Sequence, residues 1–462
     1  MADAALPQSR LLGLLWLGGM VVVGVLTAVV TLALAGTLSS LGRNFPGNVG
    51  AGGWVLIGAF VAAALAALWL VVRLPPRWAL LAGLTLLVAI RVVAMLVVDP
   101  PFERDPASYN RLARGVLEGE CCFDFRPMGY PILLAGAYAL GLSGKVVSLV
   151  AAIAGGPLIW AIGRRLGGQV SGNVALYLYA ITPALSLLTG VLLTEPLYAT
   201  LLLAALASLP AAGARTGRLG ASASGLVLGL SQWVRATSIY LAPAFVLPIV
   251  LRREWRKAAL FGLLMLLPLL PVLAATGGLS TSPEGGWSLM TGTNQQHDGT
   301  WNAEDRRIYG QWGDERERLA REEGIRRIVS DPAGFASLAV RKLHVLWASE
   351  RYGVYFAFGS TSLAQNVREA ISVISMAFYV AVVVAAGLAL YRMRHAPPQV
   401  ALVILASIVI VAAFHTFVEV QPRYHAYLVP LFTVLAASLV GQAPWAIWRR
   451  ARPQAKEDSA VG

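Results

Sequence analysis

The chain has 462 residues, 57% of them hydrophobic and 13% charged, with a formal net charge of +13 at pH 7. Soluble domains carry about 25% charged residues, so water is not the main solvent of this protein. Its basic residues fall in short clusters between apolar blocks, where anionic headgroups and the insertion machinery act on them, which argues against a nucleic-acid partner.

The apolar blocks run about 20 residues with almost no charge, the length a helix needs to cross a hydrocarbon core of roughly 30 Å. In chain order the expected spans are 11–35, 53–73, 78–98, 145–163, 171–188, 193–211, 219–234, 238–251, 256–276, 369–391, 399–418 and 424–443. The expected fold is therefore all-α and membrane-integral, with about twelve crossings. The first block lacks a small-residue cleavage site after a short core and reads as a retained helix. The stretch 219–251 is the least regular, because 238–251 is short and holds Pro243 and Pro248. Cys121 and Cys122 are adjacent, lack the further partners of a zinc site, and read as two buried small side chains.

Lysine and arginine are retained on the cytoplasmic side in short loops. With the N-terminus inside, the cytoplasmic loops hold Arg73 and Arg77, Arg164 and Arg165, Arg215 and Arg218, the cluster 252–257, Arg392 and Arg394, then Arg449, Arg450 and Arg452. One crossing over 219–251 would put the 252–257 cluster outside, so two are kept. Both termini are then cytoplasmic in a cell (plasma or inner) membrane, and two large segments, 99–131 and 277–368, face outward. The organisation read from this is two N-terminal spans over 1–77, a module over 78–276 with its outer loop 99–131, a large external loop over 277–368, and C-terminal spans with a tail over 369–462. Within the outer segments, 131–143 suits an interfacial helix, and a polar stretch 291–302 precedes a charged helix-forming run 303–329.

Ionisable residues at a bilayer edge are costly unless paired or facing a watery cavity. Most here lie at one face: Asp105 and Arg126 in the first outer loop, Glu195 at a helix start, Arg235 between two helices, and Glu419, Arg423 and His425 around the last outer turn; Arg91, inside the third span, is the exception and reads as a snorkelling or paired side chain. Arginine suits a phosphate, which its planar fork grips without losing charge, and a carboxylate suits the deprotonation of a hydroxyl.

The spacing Asp105, Tyr109, Ala113, Gly119, followed by Phe125-Arg126-Pro127-Met128-Gly129-Tyr130-Pro131, resembles the first outer loop of the GT-C superfamily of polyprenyl-phosphate-sugar glycosyltransferases, which includes the protein O-mannosyltransferases and the lipid A aminoarabinose transferase. Matches follow in the same order at Gly163-Arg164-Arg165-Leu166-Gly167, Leu193-Thr194-Glu195-Pro196-Leu197, Val234-Arg235-Ala236-Thr237 and Pro422-Arg423-Tyr424-His425, so the resemblance covers about 78 to 443. It implies a GT-C-like bundle with helices in its external loops, Asp105 as the base, and Arg126, Arg423 and Tyr424 at the lipid phosphate, with Arg235 assisting. Glu103, Tyr109, Glu195, Asn294 and His425 are candidate substrate contacts. Relatives often carry two neighbouring acidic residues in the first loop; the second here is Glu103, whose role stays open. No complete metal site is visible, and a divalent metal is left open.

Plainer readings stand beside these. Asp105 before Pro106 fits a helix N-cap, and Glu195 before Pro196 a helix-start charge. Arg126 and Arg423 fit headgroup anchors, and His425 and Tyr427 an aromatic interface belt. Trp287, Trp301 and Trp312 fit either sugar stacking or seating of the outer loop on the membrane. The expected activity is transfer of a sugar from a polyprenyl-phosphate donor to a glycan, lipid or protein acceptor, with inversion, at the outer face. The rivals are a lipid-linked glycan ligase or polymerase, which would place Arg and His at the centre without a facing carboxylate, and a transporter or flippase, which would show midplane charges and repeats.

Overall fold

The computed structural model describes residues 10–120, 126–210, 217–276, 278, 280–282 and 284–441. Cys121, Cys122 and the C-terminal tail lie outside them. Among the described residues there is no β-strand.

The first three helices are α1 (Arg10–Asn48), α2 (Gly50–Arg73) and α3 (Pro76–Val97). Pro75 holds an extended conformation and Pro76 opens α3, where the missing N–H of proline costs no helical bond. Helix α2 is apolar all round yet leaves Val55 71% and Leu65 63% exposed, a surface that only lipid can cover. Of the two segments expected to face outward, called the outer segments, the first holds α4 (Arg104–Leu117) and α5 (Gly129–Ala139). The latter packs against α4 and the next helix, α6 (Lys145–Ala180).

Helix α6 absorbs one expected span and much of the next. At 1.5 Å per residue its 36 residues would extend well beyond a core of roughly 30 Å. It is not straight: Gly167 and Gly168 leave helical geometry, Gly168 at φ 82° and ψ −170°, a region open essentially to glycine alone. Arg165 at this break donates to the carbonyl of Ala207 at 3.2 Å, capping a later helix end with positive charge.

The chain continues through α7 (Pro183–Leu187), a short 3-10 turn, α8 (Glu195–Ser208), α9 (Gly217–Ser231), α10 (Ser238–Leu251), α11 (Trp255–Leu266) and α12 (Leu270–Thr276). Outer-segment helices follow: α13 (Gly285–Gly292), α14 (Ala303–Gln311), α15 (Arg316–Ser330), α16 (Pro332–Trp347) and α17 (Tyr352–Phe358). The charged run expected over 303–329 is split between α14 and α15 at Gly313, whose φ is +52°. The last helices are α18 (Gln365–Arg392), α19 (Gln399–Phe417) and α20 (Val429–Gly441).

Seven of the described helices are long and apolar enough to cross a membrane, or eight if the pair Pro183–Gly190 and Glu195–Ser208, bent by 119°, is one span. The chain is a multi-pass membrane protein. The difference from about twelve has a local cause: α8, α9, α10 and α20 are cut short by irregular turns at 188–194, 232–237 and 418–428. Those turns carry or adjoin Glu195, Arg235 and Arg423.

Helix α6 packs on α3, α8 and α20, and α20 packs on α18, making α20 a buried post with Val429 to Ser438 all enclosed. The outer helices have a small core of their own, Trp287, Met290, Tyr309 and Ala320, flanked by Trp312. Lys342 of α16 fastens them to the bundle, its ammonium donating to the carbonyls of Gly292 at 2.6 Å, Thr416 at 3.0 Å and Val418 at 2.8 Å. The Glu419 N–H donates to Ser288 and the Val420 N–H to Gly299, so the turn before Arg423 is held by outer-segment backbone.

Candidate active site

The site starts at the N-terminus of α4. Glu103 is extended, and its carboxylate accepts from Ser360 Oγ at 2.7 Å. Arg104 has φ 56°, a conformation that costs about 1–2 kcal/mol without glycine. Its guanidinium lies 4.8 Å from the Tyr355 ring centroid, so α17 holds the strained residue in place. The kink turns Asp105 inward. No side-chain cap bond forms at the start of α4, so Asp105 is not the N-cap that its place before Pro106 suggested; its carboxylate goes elsewhere.

Arg126 Nη2 donates to Asp105 Oδ1 at 2.5 Å, and Arg423 Nη2 donates to Oδ2. Positions 105, 108 and 109 share one face of α4. Arg126 spreads its donors over that face, reaching Ser108 Oγ at 3.1 Å and the Tyr109 hydroxyl at 3.2 Å. Tyr109 meets Tyr130 of α5 edge-on at 5.2 Å.

Arg423 continues the chain of charges. Its Nη1 lies 3.7 Å from Glu195 Oε1, which also accepts from Arg235 Nη1 at 3.0 Å. Arg235 is caged by the rings of Tyr198, Tyr424 and Tyr427, at 5.9, 5.1 and 5.5 Å. Tyr424 donates to Glu419 at 3.4 Å, and Gln421 bridges Glu419 at 2.6 Å and Arg423 at 3.2 Å. Among the described residues the order Arg126, Asp105, Arg423, Glu195, Arg235 alternates in sign.

Burial opposes charge on Asp105, but the guanidiniums of Arg423 and Arg126, by charge and hydrogen bond, hold its carboxyl down at about 2. Burial pushes the Glu419 carboxyl up, against the pull of Gln421 and Arg423. Glu284 at the start of α13 is also raised by burial; it pairs with Arg306 at 3.5 Å and feels the charge of Arg126. Side-chain exposures of 18% for Asp105, 24% for Arg126 and 10% for Arg423 leave these groups within reach of a ligand, whereas Glu195 at 1% is sealed behind them. Glu195 Oε2 is buried without a hydrogen-bond partner among the described residues.

The structure thus brings together Asp105, Tyr109, Arg126, Glu195, Arg235, Arg423 and Tyr424. Asn294 sits elsewhere, donating to Asp305 at 2.9 Å in a polar knot with Asn302 and Arg327. His425 is fully enclosed. Its Nδ1 lies 2.5 Å from the Leu346 carbonyl and its Nε2 2.7 Å from Glu350, between the rings of Trp347, Tyr352 and Tyr379. Trp287 lies in the outer core, and Trp301 is 55% exposed. Sequence reasoning missed Ser108, Glu350 and Lys342, which carry no motif and declare themselves only through their partners. Among the described residues no group of three or more His, Cys, Asp or Glu could hold a metal ion.

Two sets of solved structures are similar to this chain. The archaeal oligosaccharyltransferase AglB of Archaeoglobus fulgidus, in complex with an inhibitory peptide and a dolichol-phosphate, is 15% identical with a TM-score of 0.48, over 81% of this chain and 51% of its own. The apo form of the Archaeoglobus fulgidus oligosaccharyltransferase is 15% identical with a TM-score of 0.46, over 78% of this chain and 50% of its own. ArnT of Cupriavidus metallidurans, bound to undecaprenyl phosphate, is 14% identical with a TM-score of 0.33, over 85% of this chain and 78% of its own. The chain spans about half the length of the archaeal oligosaccharyltransferase chains it matches. No family model matches the chain, and no curated protein matches it in sequence.

Proposed function

We propose that this chain is a GT-C-type glycosyltransferase that moves a sugar from a polyprenyl-phosphate donor to an acceptor hydroxyl at the outer face of a cell membrane. The observation that carries the reading is the Asp105 carboxylate set between the forks of Arg126 and Arg423, at the end of the bundle where the outer segments dock. Two guanidiniums, each with a planar set of donors, match the oxygens of a phosphate and the charge it gains as a leaving group. The carboxylate beside them is placed to take a proton from a hydroxyl.

In this reading Asp105 accepts the acceptor's proton, the hydroxyl oxygen attacks the anomeric carbon, and the bond from that carbon to the phosphate oxygen breaks with its electron pair going to the phosphate. A single displacement inverts the anomeric carbon. Arg126, Arg423 and Tyr424 bind the phosphate. Arg235, locked by Glu195 and three tyrosine rings, acts from behind as a positioning residue. Glu103 and Tyr109 border the acceptor side. A carboxylate between the arginines and a sealed His425 speak against a ligase, and the linked network of Asp105, Arg126, Arg423, Glu195 and Arg235, with Arg91 buried apart in α3, favours this reading over a transporter.

The test is transfer by the purified protein from a synthetic polyprenyl-phosphate sugar, with the anomeric configuration of the product read by NMR. Asp105→Asn lowers turnover by about 10²–10⁴-fold, the usual worth of a general base. Undiminished transfer by that variant, or a product with retained configuration, refutes the assignment.

A further inference from the structure

Arg126 and Arg423 come from distant parts of the chain, and each gives its Nη2 to a different oxygen of one carboxylate. Asp105 therefore occupies the place that two non-bridging oxygens of a lipid-linked phosphate, diester or monoester, would take between the same donors. Glu195 also approaches Arg423, at 3.7 Å, but is itself engaged by Arg235 at 3.0 Å. With a side chain that is 18% exposed, Asp105 has a solvent side toward which it can turn.

We propose that Asp105 is an internal counter-ion that competes with the lipid phosphate for Arg126 and Arg423, so that donor binding releases the base and its return drives the lipid-phosphate product out. This rests on the donor reading above. While clamped by two guanidiniums the carboxylate is a weak base, because their field stabilises its charged form. Once a phosphate takes over the two forks, Asp105 loses both partners and gains an anionic neighbour, and each change raises its proton affinity. The base is thereby strengthened when a donor is present. After transfer the proton sits on Asp105, and it leaves to water when the side chain swings back between the arginines, where the carboxylate is again held at about 2. A tethered carboxylate has a high effective concentration at the forks, so the apparent affinity for phosphate is set below the intrinsic one by the fraction of open site.

The experiment titrates undecaprenyl phosphate into the full-length protein in nanodiscs of phosphatidylcholine, where it is the sole phosphate monoester. Asp105→Asn keeps the shape and removes the competing charge, so it should bind undecaprenyl phosphate at least about tenfold more tightly than wild type, while Arg126→Ala and Arg423→Ala should bind more weakly. Equal or weaker binding by Asp105→Asn, with binding lost in the arginine variants, overturns the counter-ion and leaves the phosphate site standing. Binding by the arginine variants at wild-type strength removes the phosphate site itself and the counter-ion with it. If Asp105→Asn folds poorly, the rise in melting temperature on adding undecaprenyl phosphate still decides. A larger rise than in wild type supports the proposal, and an equal or smaller one refutes it.

Discussion

Arg423 donates to the Asp105 carboxylate across 318 positions of sequence, joining the first outer loop to the last outer turn. Neither residue could be placed there by its own segment. Arg104 is held by Tyr355, and the turn before Arg423 is held by outer-segment backbone, so both sides of the contact are braced by α13 to α17 and the loops beside them.

The planar fork matters at Arg423 because it serves Asp105, Gln421 and Glu195 at once. Arg423→Lys retains the charge but offers a point where a fork is needed. Its donor KM should rise by roughly tenfold, about 1.4 kcal/mol, measured by initial rates at saturating acceptor. A KM within twofold of wild type would refute fork recognition.

Stability should depend on acid through Asp105. Its folded carboxyl titrates at about 2, below the ordinary value of 3.8, so the folded state binds fewer protons than the unfolded state between those values. The contribution, about 2 kcal/mol, is present above pH ~4 and is lost as pH falls toward 2. Melting temperatures in detergent from pH 5 to 2.5 should fall more steeply for wild type than for Asp105→Asn, and parallel curves would contradict the clamp.

Lys342→Met leaves three carbonyls without their shared donor. An unmet buried acceptor costs about 1–3 kcal/mol. Amide exchange over 285–300 should quicken by roughly tenfold or more, while the α20 amides stay protected. Unchanged exchange over 285–300 would show that the ammonium is not the fastening.

For His425, both ring nitrogens face acceptors, the Leu346 carbonyl and Glu350, inside a closed aromatic shell. Leaving a buried hydrogen-bonding group without its partner costs about 1–3 kcal/mol, before the loss of the ring's packing. His425→Ala should therefore show up as lost thermal stability, with the donor KM of the surviving folded fraction unchanged. A specific rise in KM at wild-type stability would instead put His425 at the substrate.

Membrane integration and the all-helical class were legible in the sequence, because blocks of about 20 apolar residues admit one solution in lipid, and charge inside them is as rare as the single buried Arg91 of α3. The turns that shorten α8, α9, α10 and α20 were not, since hydropathy registers apolar length and is blind to where a helix unwinds to present Glu195, Arg235 or Arg423. The sequence also pointed to Asp105 and the arginines as candidates, by residue type and by motif order. Which of them would touch was a tertiary decision. Pairing in a low-dielectric pocket depends on distance in space, and packing alone put Asp105 between Arg126 and Arg423 while sealing His425 away and turning Asn294 to Asp305.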